Sequence, residues 1–216
     1  MTESDRMAAM STFRLARVVL AAATFVIAPA VTFAQEVGVK AGLNFPWLTP
    51  LEDETPDITP RLGPVGGVWV RVPSAGRFCF QAEALFSEKG AHWDFPGFAS
   101  WEFRLRYFEV PLLARGDFGD PASTTRMFAV AGAAPAYLLS DRTTVEFEGQ
   151  SVTRSNPDAF YSFDVGLVGG VGVEIGPAQV EARYTHGLRH INTDDNGDED
   201  RVRNRVFSVT FGFRLR

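Results

Sequence analysis

The chain has 216 residues, 45% of them hydrophobic, a formal net charge of −5 and a pI near 5.3. That length suits one sizeable closed core rather than two, and the acidic balance offers no basic stripe to a nucleic-acid backbone. Cys79, the single cysteine, rules out an intramolecular disulfide.

The N-terminus reads as an export signal. Arg14 and Arg17 precede the apolar run VVLAAATFVIAPAV, and Thr32-Phe33-Ala34 then offers small residues at its first and third positions, as signal peptidase requires. The run is short for a membrane anchor. Cleavage is expected after Ala34, giving a signal peptide over 1–34 and a single domain over 35–216. The acids in the lead MTESDRMAA suit a signal poorly, which makes Met10 an alternative start.

From Glu36 onward helical periodicity is absent and period-2 alternation recurs. The pattern predicts strands at about Val37–Phe45, Leu62–Val72, Arg77–Gly90, Phe103–Gly116, Arg126–Leu139, Phe160–Ile175, Gln179–Leu188 and Asn204–Leu215. Most reach the roughly 9 to 11 residues that a tilted strand needs to cross a bilayer. PSAG and GPA are short connections and GDFGDPASTT is of middling length. The other four are long: NFPWLTPLEDETPDITPR, AHWDFPGFASWE, SDRTTVEFEGQSVTRSNPD and RHINTDDNGDEDRVR. Long and shorter connections alternate strictly, so in an up-and-down antiparallel barrel all the long ones share one end. Outer-membrane barrels are built this way, with long extracellular loops and brief periplasmic turns. The expected fold is all-β, an eight-stranded antiparallel up-and-down transmembrane β-barrel.

Residue size sets the direction of the faces. Gly38, Gly42, Asn44, Gln81, Ser87, Gly170, Gly172, Ser208, Thr210 and Gly212 share one face, and small residues of this kind make room inside a narrow lumen. Lys40, Glu83, Glu109, Arg115, Asp164, Glu174, Glu181, Arg183 and Arg214 fall on the same face with nearly balanced signs, as a buried network of mutual partners would. The other face carries Val39, Leu43, Phe78, Phe80, Phe86, Phe108, Leu112, Phe163, Leu167 and Val171 and is expected to be free of charge. On the closing strand, Phe207, Val209, Phe211, Phe213 and Leu215 are then expected to meet lipid. Two strands resist this phasing: MFAVAGAAPAYLL is apolar on both faces, and Trp69 falls inside if Val68 and Val70 face out. Pro111 and Pro135 predict a bulge or a break. Trp47, Trp93 and Trp101 sit near the loop ends, where an interfacial girdle belongs.

QAEALFSEKG, YFEVPLLAR and FDVGLVGGVGVEIGPAQVEARYTHGL resemble the outer membrane protein β-barrel domain family, also called PorT-like or porin-family, over nearly the whole mature chain. The resemblance implies an eight-stranded barrel in the cell outer membrane. It also accounts for Pro111, which the family tolerates after its Glu-aliphatic pair, and it implies no role in protein secretion.

No segment carries clear enzyme chemistry. NTDDNGDED places Asn192, Asp194 and Asn196 at calcium-ligand spacing with Gly197 at the turn, but Arg203 stands where a bidentate glutamate is needed, so a solvated acidic loop is expected. His186 and His190 have no serine at the neighbouring same-face position to activate. TTVEFEGQSVT predicts a projecting hairpin whose edge could take a partner strand. The reading is therefore an outer-membrane barrel with a filled polar lumen, no catalytic residue, cofactor or metal, and a structural or surface-interaction role. Its partners would be outer-membrane lipid, lipopolysaccharide and the assembly machinery, and it would act as a monomer. A narrow passive pore and a soluble lipocalin-like binder with a greasy interior are the competing readings.

Overall fold

Short alternating segments that expose a greasy row on one side can satisfy their backbone only by pairing on both edges. The computed structural model describes residues 36–47, 57–73, 76–95, 99–120, 122–147, 150–154, 161–190 and 203–216. The export signal expected over 1–34 and the acidic runs at 52–55 and 192–200 lie outside the described residues.

The strands are β1 (Glu36–Trp47), β2 (Asp57–Pro60), β3 (Gly63–Pro73), β4 (Phe78–Phe95), β5 (Ala99–Glu109), β6 (Leu112–Phe118), β7 (Thr125–Phe147), β8 (Gln150–Arg154), β9 (Phe163–Ile175), β10 (Ala178–His190) and β11 (Arg203–Arg214). Three pairs, β2 with β3, β5 with β6 and β8 with β9, are successive pieces of one stave, since each pair shares a neighbouring strand. The wall thus has eight staves. All pairings are antiparallel, and β1 joins β3 on one edge and β11 on the other, which closes the ring. The closing register runs from Gly38 opposite Arg214 to Trp47 opposite Arg205.

The facing follows residue size. Phe207, Phe211 and Phe213 are exposed on the outside of β11, as is Leu215 just past its end, while Ser208, Thr210 and Gly212 are buried inside it. Phe78, at 70% exposed, and Phe80, Leu112, Met127 and Val171 extend the same outer apolar surface. A lipocalin-like barrel would reverse this arrangement, so that reading is excluded.

Inner glycines seat the large side chains of neighbouring staves. A Cβ at Gly38 would collide with the Trp69 ring, one at Gly172 with Phe128, and one at Gly212 with Gln179. Trp69 therefore does face inward, lying across the gap that Gly38 leaves. On β7, Phe128, Val130, Ala134 and Ala136 are the inward set, and with Leu113 and Val168 most of them form an apolar patch of the inner wall. That strand reads as apolar on both faces because one face meets lipid and the other meets this patch.

The two prolines act differently. In an antiparallel ladder a residue's N–H and C=O point to the same neighbour. The Pro135 carbonyl accepts from Val110 N at 2.9 Å and the Pro111 carbonyl from Glu83 N at 3.0 Å, yet neither proline can return a donor. These one-sided contacts meet at Val110-Pro111, where β5 gives way to β6. β7 runs through Pro135 unbroken, still paired opposite Val165.

The larger departure lies at the end away from the termini. Residues 91–102, expected as a loop, are mostly strand: β4 and β5 stay paired as far as Phe95 opposite Ala99. β2 pairs the outer part of β4, and β7 and β8 form the projecting hairpin expected from TTVEFEGQSVT, paired from Thr143–Arg154 to Phe147–Gln150. β7 spans 23 residues, about twice what a tilted crossing takes. On β7 the pairing slips by one residue, with Tyr107 opposite Leu138 but Arg106 opposite Ser140, so Leu139 is a bulge. Below it even-numbered residues face in; above it Asp141 is buried and Arg142 is exposed.

Gly38→Ala drives a methyl group into the Trp69 ring and the Phe213 carbonyl and is expected to cost about 1–3 kcal/mol. Gly169→Ala, which meets open space, should stay within about 0.5 kcal/mol. Urea unfolding of the refolded barrel, followed by heat-modifiable migration, measures both.

Candidate functional site

Inward phase alone places the charged side chains in the lumen, and eight staves leave it only wide enough for those chains to fill. Of the nine residues expected there, Lys40, Glu83, Glu109, Arg115, Asp164, Glu174, Glu181 and Arg183 are buried, and Arg214 is half-buried. They form groups at three levels rather than one network.

At mid-height, Lys40 Nζ on β1 donates to Glu83 Oε1 on β4 and to Glu181 Oε2 on β10, each at 2.9 Å. Arg183 grips Glu83 with both terminal nitrogens, at 2.8 and 2.9 Å, and reaches Glu181 Oε1 through Nε at 2.7 Å. Gln81 adds a bond to Glu83 at 2.6 Å. Two cations thus bridge two carboxylates across the full lumen.

Nearer the termini, Arg115 stacks 3.7 Å from the centre of the Phe128 ring and bonds Glu174, Asp117 and Gln179. Glu174 also takes Arg71 and Arg126, and Glu36 ties Arg71 to Arg214. Arg214 therefore joins β11 to β1 through Glu36. Cys79 stands directly opposite Arg115 in the β4–β6 register, half-buried, as a small filler beside it.

Toward the far end, Lys89 Nζ lies 2.6 Å from Glu109 Oε1 and 4.9 Å from the centre of the Tyr107 ring. Asn44 joins Ser208 to Ser87. Asp164 accepts the backbone N–H of Val165. Between these groups and the middle level lies a cavity of about 20 Å³, bounded by Lys40, Asn44, Lys89, Glu109 and Arg183, with room for about one water.

Lys89, Arg71, Gln179 and Arg126 were not among the expected lumen residues. Lys89 continues the phase of Gln81, Glu83 and Ser87, and Arg71 that of Trp69, so the signal was present once Trp69 is taken as inward.

The outer face is not free of charge along its whole length. Phe86, Phe108, Tyr137 and Phe163 stand opposite one another on β4, β5, β7 and β9 as a cross-strand aromatic row. Immediately beyond it on the same face come Glu88 opposite Arg106, then Gly90 opposite Arg104 opposite Arg142. Arg61 bonds Glu88 at 2.9 Å and Glu102 at 2.6 Å. Trp101 belongs to the opposite phase and stacks on Phe103 at 6.4 Å, so it is not part of an outer girdle. The β5 phase runs unbroken from Glu109 to Trp101, and only its expected assignment to a loop hid this. The side chains of Trp47 and Trp93 lie outside the described residues.

His186 is half-buried, its Nδ1 3.4 Å from Tyr184 Oη. The side chains of His92 and His190, and the calcium-like run at 192–200, lie outside the described residues.

The sequence profile of the outer membrane protein beta-barrel domain family matches residues 33–192. The chain belongs to that family. This barrel is therefore an outer-membrane protein, and its exposed apolar surface faces lipid. No curated protein matches the chain. Among solved structures it is similar to the attachment invasion locus protein Ail of Yersinia pestis, with 13% identity, 83% of this chain and 98% of that one covered, and a TM-score of 0.43. It is also similar to OprG of Pseudomonas aeruginosa (13% identity; 85% and 97% covered; TM-score 0.45) and to Neisserial surface protein A (14% identity; 83% and 97% covered; TM-score 0.43).

Glu83→Ala leaves Lys40 and Arg183 to share Glu181 alone in the lumen of this outer-membrane barrel, an excess buried charge expected to destabilise it by about 3–5 kcal/mol. A double-mutant cycle of Glu83 with Arg183, read by urea unfolding, should give a coupling above about 1 kcal/mol. A coupling near zero would show that the middle cluster does not hold the staves together.

Proposed function

We propose that the protein is a monomeric, non-enzymatic envelope barrel whose lumen is closed and whose extended end, formed by β2, β4, β5, β7 and β8, is an extracellular surface for interaction. The export signal read over 1–34 delivers it, and the assembly machinery recognises the closing strand. The observation that carries the reading is the bridge of Lys40 and Arg183 to Glu83 and Glu181. These residues come from β1, β4 and β10 and meet across the lumen at one level, which supports a lumen closed there. The termini and brief turns face the periplasm in this orientation, as in outer-membrane barrels generally.

The competing reading is a narrow passive pore, favoured only by the polarity of the lining. Planar-bilayer recording separates the two. The native barrel is expected to show no steady openings, whereas a Lys40→Ala/Arg183→Ala/Glu83→Ala/Glu181→Ala barrel, with the bridge removed, should conduct. Steady nanosiemens-scale openings of the native protein would establish the pore instead. Antibody labelling of intact cells carrying an epitope between β7 and β8 checks the orientation.

A further inference from the structure

Beyond the aromatic row, the outer face of β5 and β7 makes an arrangement that the fold alone does not explain. Arg104 stands directly opposite Arg142, and like charges in opposed positions of a sheet repel. The bulge at Leu139 creates this pair, because without it Arg142 would share the inward phase of Phe128 and Ala136. Arg104 and Arg106 each spend Nε on a carboxylate, Glu102 at 2.7 Å and Glu88 at 2.9 Å. Their terminal nitrogens, and the whole exposed guanidinium of Arg142, have no carboxylate partner among the described residues. Arg61 is different, since it is held between Glu88 and Glu102. Among the described side chains of β5 and β7, the remaining carboxylate on this outward phase is Glu146, four residues from Arg142 and so roughly 13 Å along the strand.

Height identifies the ligand. On β5, Phe108 marks the apolar boundary, and Arg106 and Arg104 lie two and four residues beyond it, or roughly 5 and 10 Å higher for a tilted strand. That is the level of lipid headgroups. A guanidinium fork matches a phosphate in geometry and charge, and a phosphate between Arg104 and Arg142 would turn their repulsion into two charge-assisted contacts.

The geometry points to a binding site, formed by Arg104, Arg106 and Arg142, for the phosphate groups of a phosphorylated glycolipid of the outer leaflet. The inference rests on the orientation given above, with the extended end outside the cell.

The test places the refolded barrel in phosphatidylcholine nanodiscs and adds bisphosphorylated lipid A, lipid A stripped of its phosphates, or inorganic phosphate. Bisphosphorylated lipid A should raise the thermal midpoint of the barrel and remain bound on repurification by mass spectrometry, and the other two should do neither. Arg104→Gln/Arg142→Gln should bind lipid A at least about tenfold more weakly while keeping heat-modifiable migration. Arg77→Gln, at the end that holds the termini, should bind as the native protein does. Equal binding of the stripped lipid, an equal effect of inorganic phosphate, or full affinity of the double variant would overturn the proposal. Conductance of the native barrel would remove the closed-lumen reading and leave this site standing. Epitope labelling only from the periplasmic side would remove both the orientation and the site.

Discussion

The structure depends on one closure. β1 must pair with β11 along its full length, because in hydrocarbon an unpaired strand edge has no water to satisfy its amides. Closure at eight staves fixes the lumen radius, and that radius selects the inner residues. Glycine is needed at 38 and 172 because Trp69 and Phe128 from neighbouring staves occupy the space a Cβ would take. Charges are tolerated at 40, 83, 181 and 183 because they are close enough to neutralise one another.

Such buried ion pairs are weak as a source of net stability, since desolvation offsets much of their attraction. Their value here is geometric. Lys40 comes from β1, Glu83 from β4, and Glu181 and Arg183 from β10, so their bonds tie distant parts of the ring at one level. A stave slipped by one residue would send its charges to the lipid side and leave the others unpaired. The Glu36 contacts with Arg71 and Arg214 act similarly at the seam itself.

Much of this was legible in the sequence because a barrel wall is a two-letter pattern: small or charged inward, apolar outward. The strands, their closure and the burial of eight of the nine expected lumen residues follow from that period. Trp69 was harder, since its size argues against an inward position until Gly38 is seen beside it in the register. The outer ends were harder still. Residues 91–102 carry a Pro-Gly pair amid aromatics and read as a loop, yet cross-strand pairing with β2 and β5 carries β4 through to Phe95. Which strands lie side by side beyond the membrane is a long-range property that no local window contains. The slip at Leu139 is likewise invisible locally, because it is defined only against β5.

That slip has a consequence for how the protein can change. On one side of Leu139, substitutions in β7 are judged by the volume of a packed interior; on the other side the same parity of positions is judged by what lies outside the wall. A single unpaired residue thus divides one continuous strand into two regions that can drift apart in sequence. The outer region can be rewritten for a new ligand without disturbing the inner one.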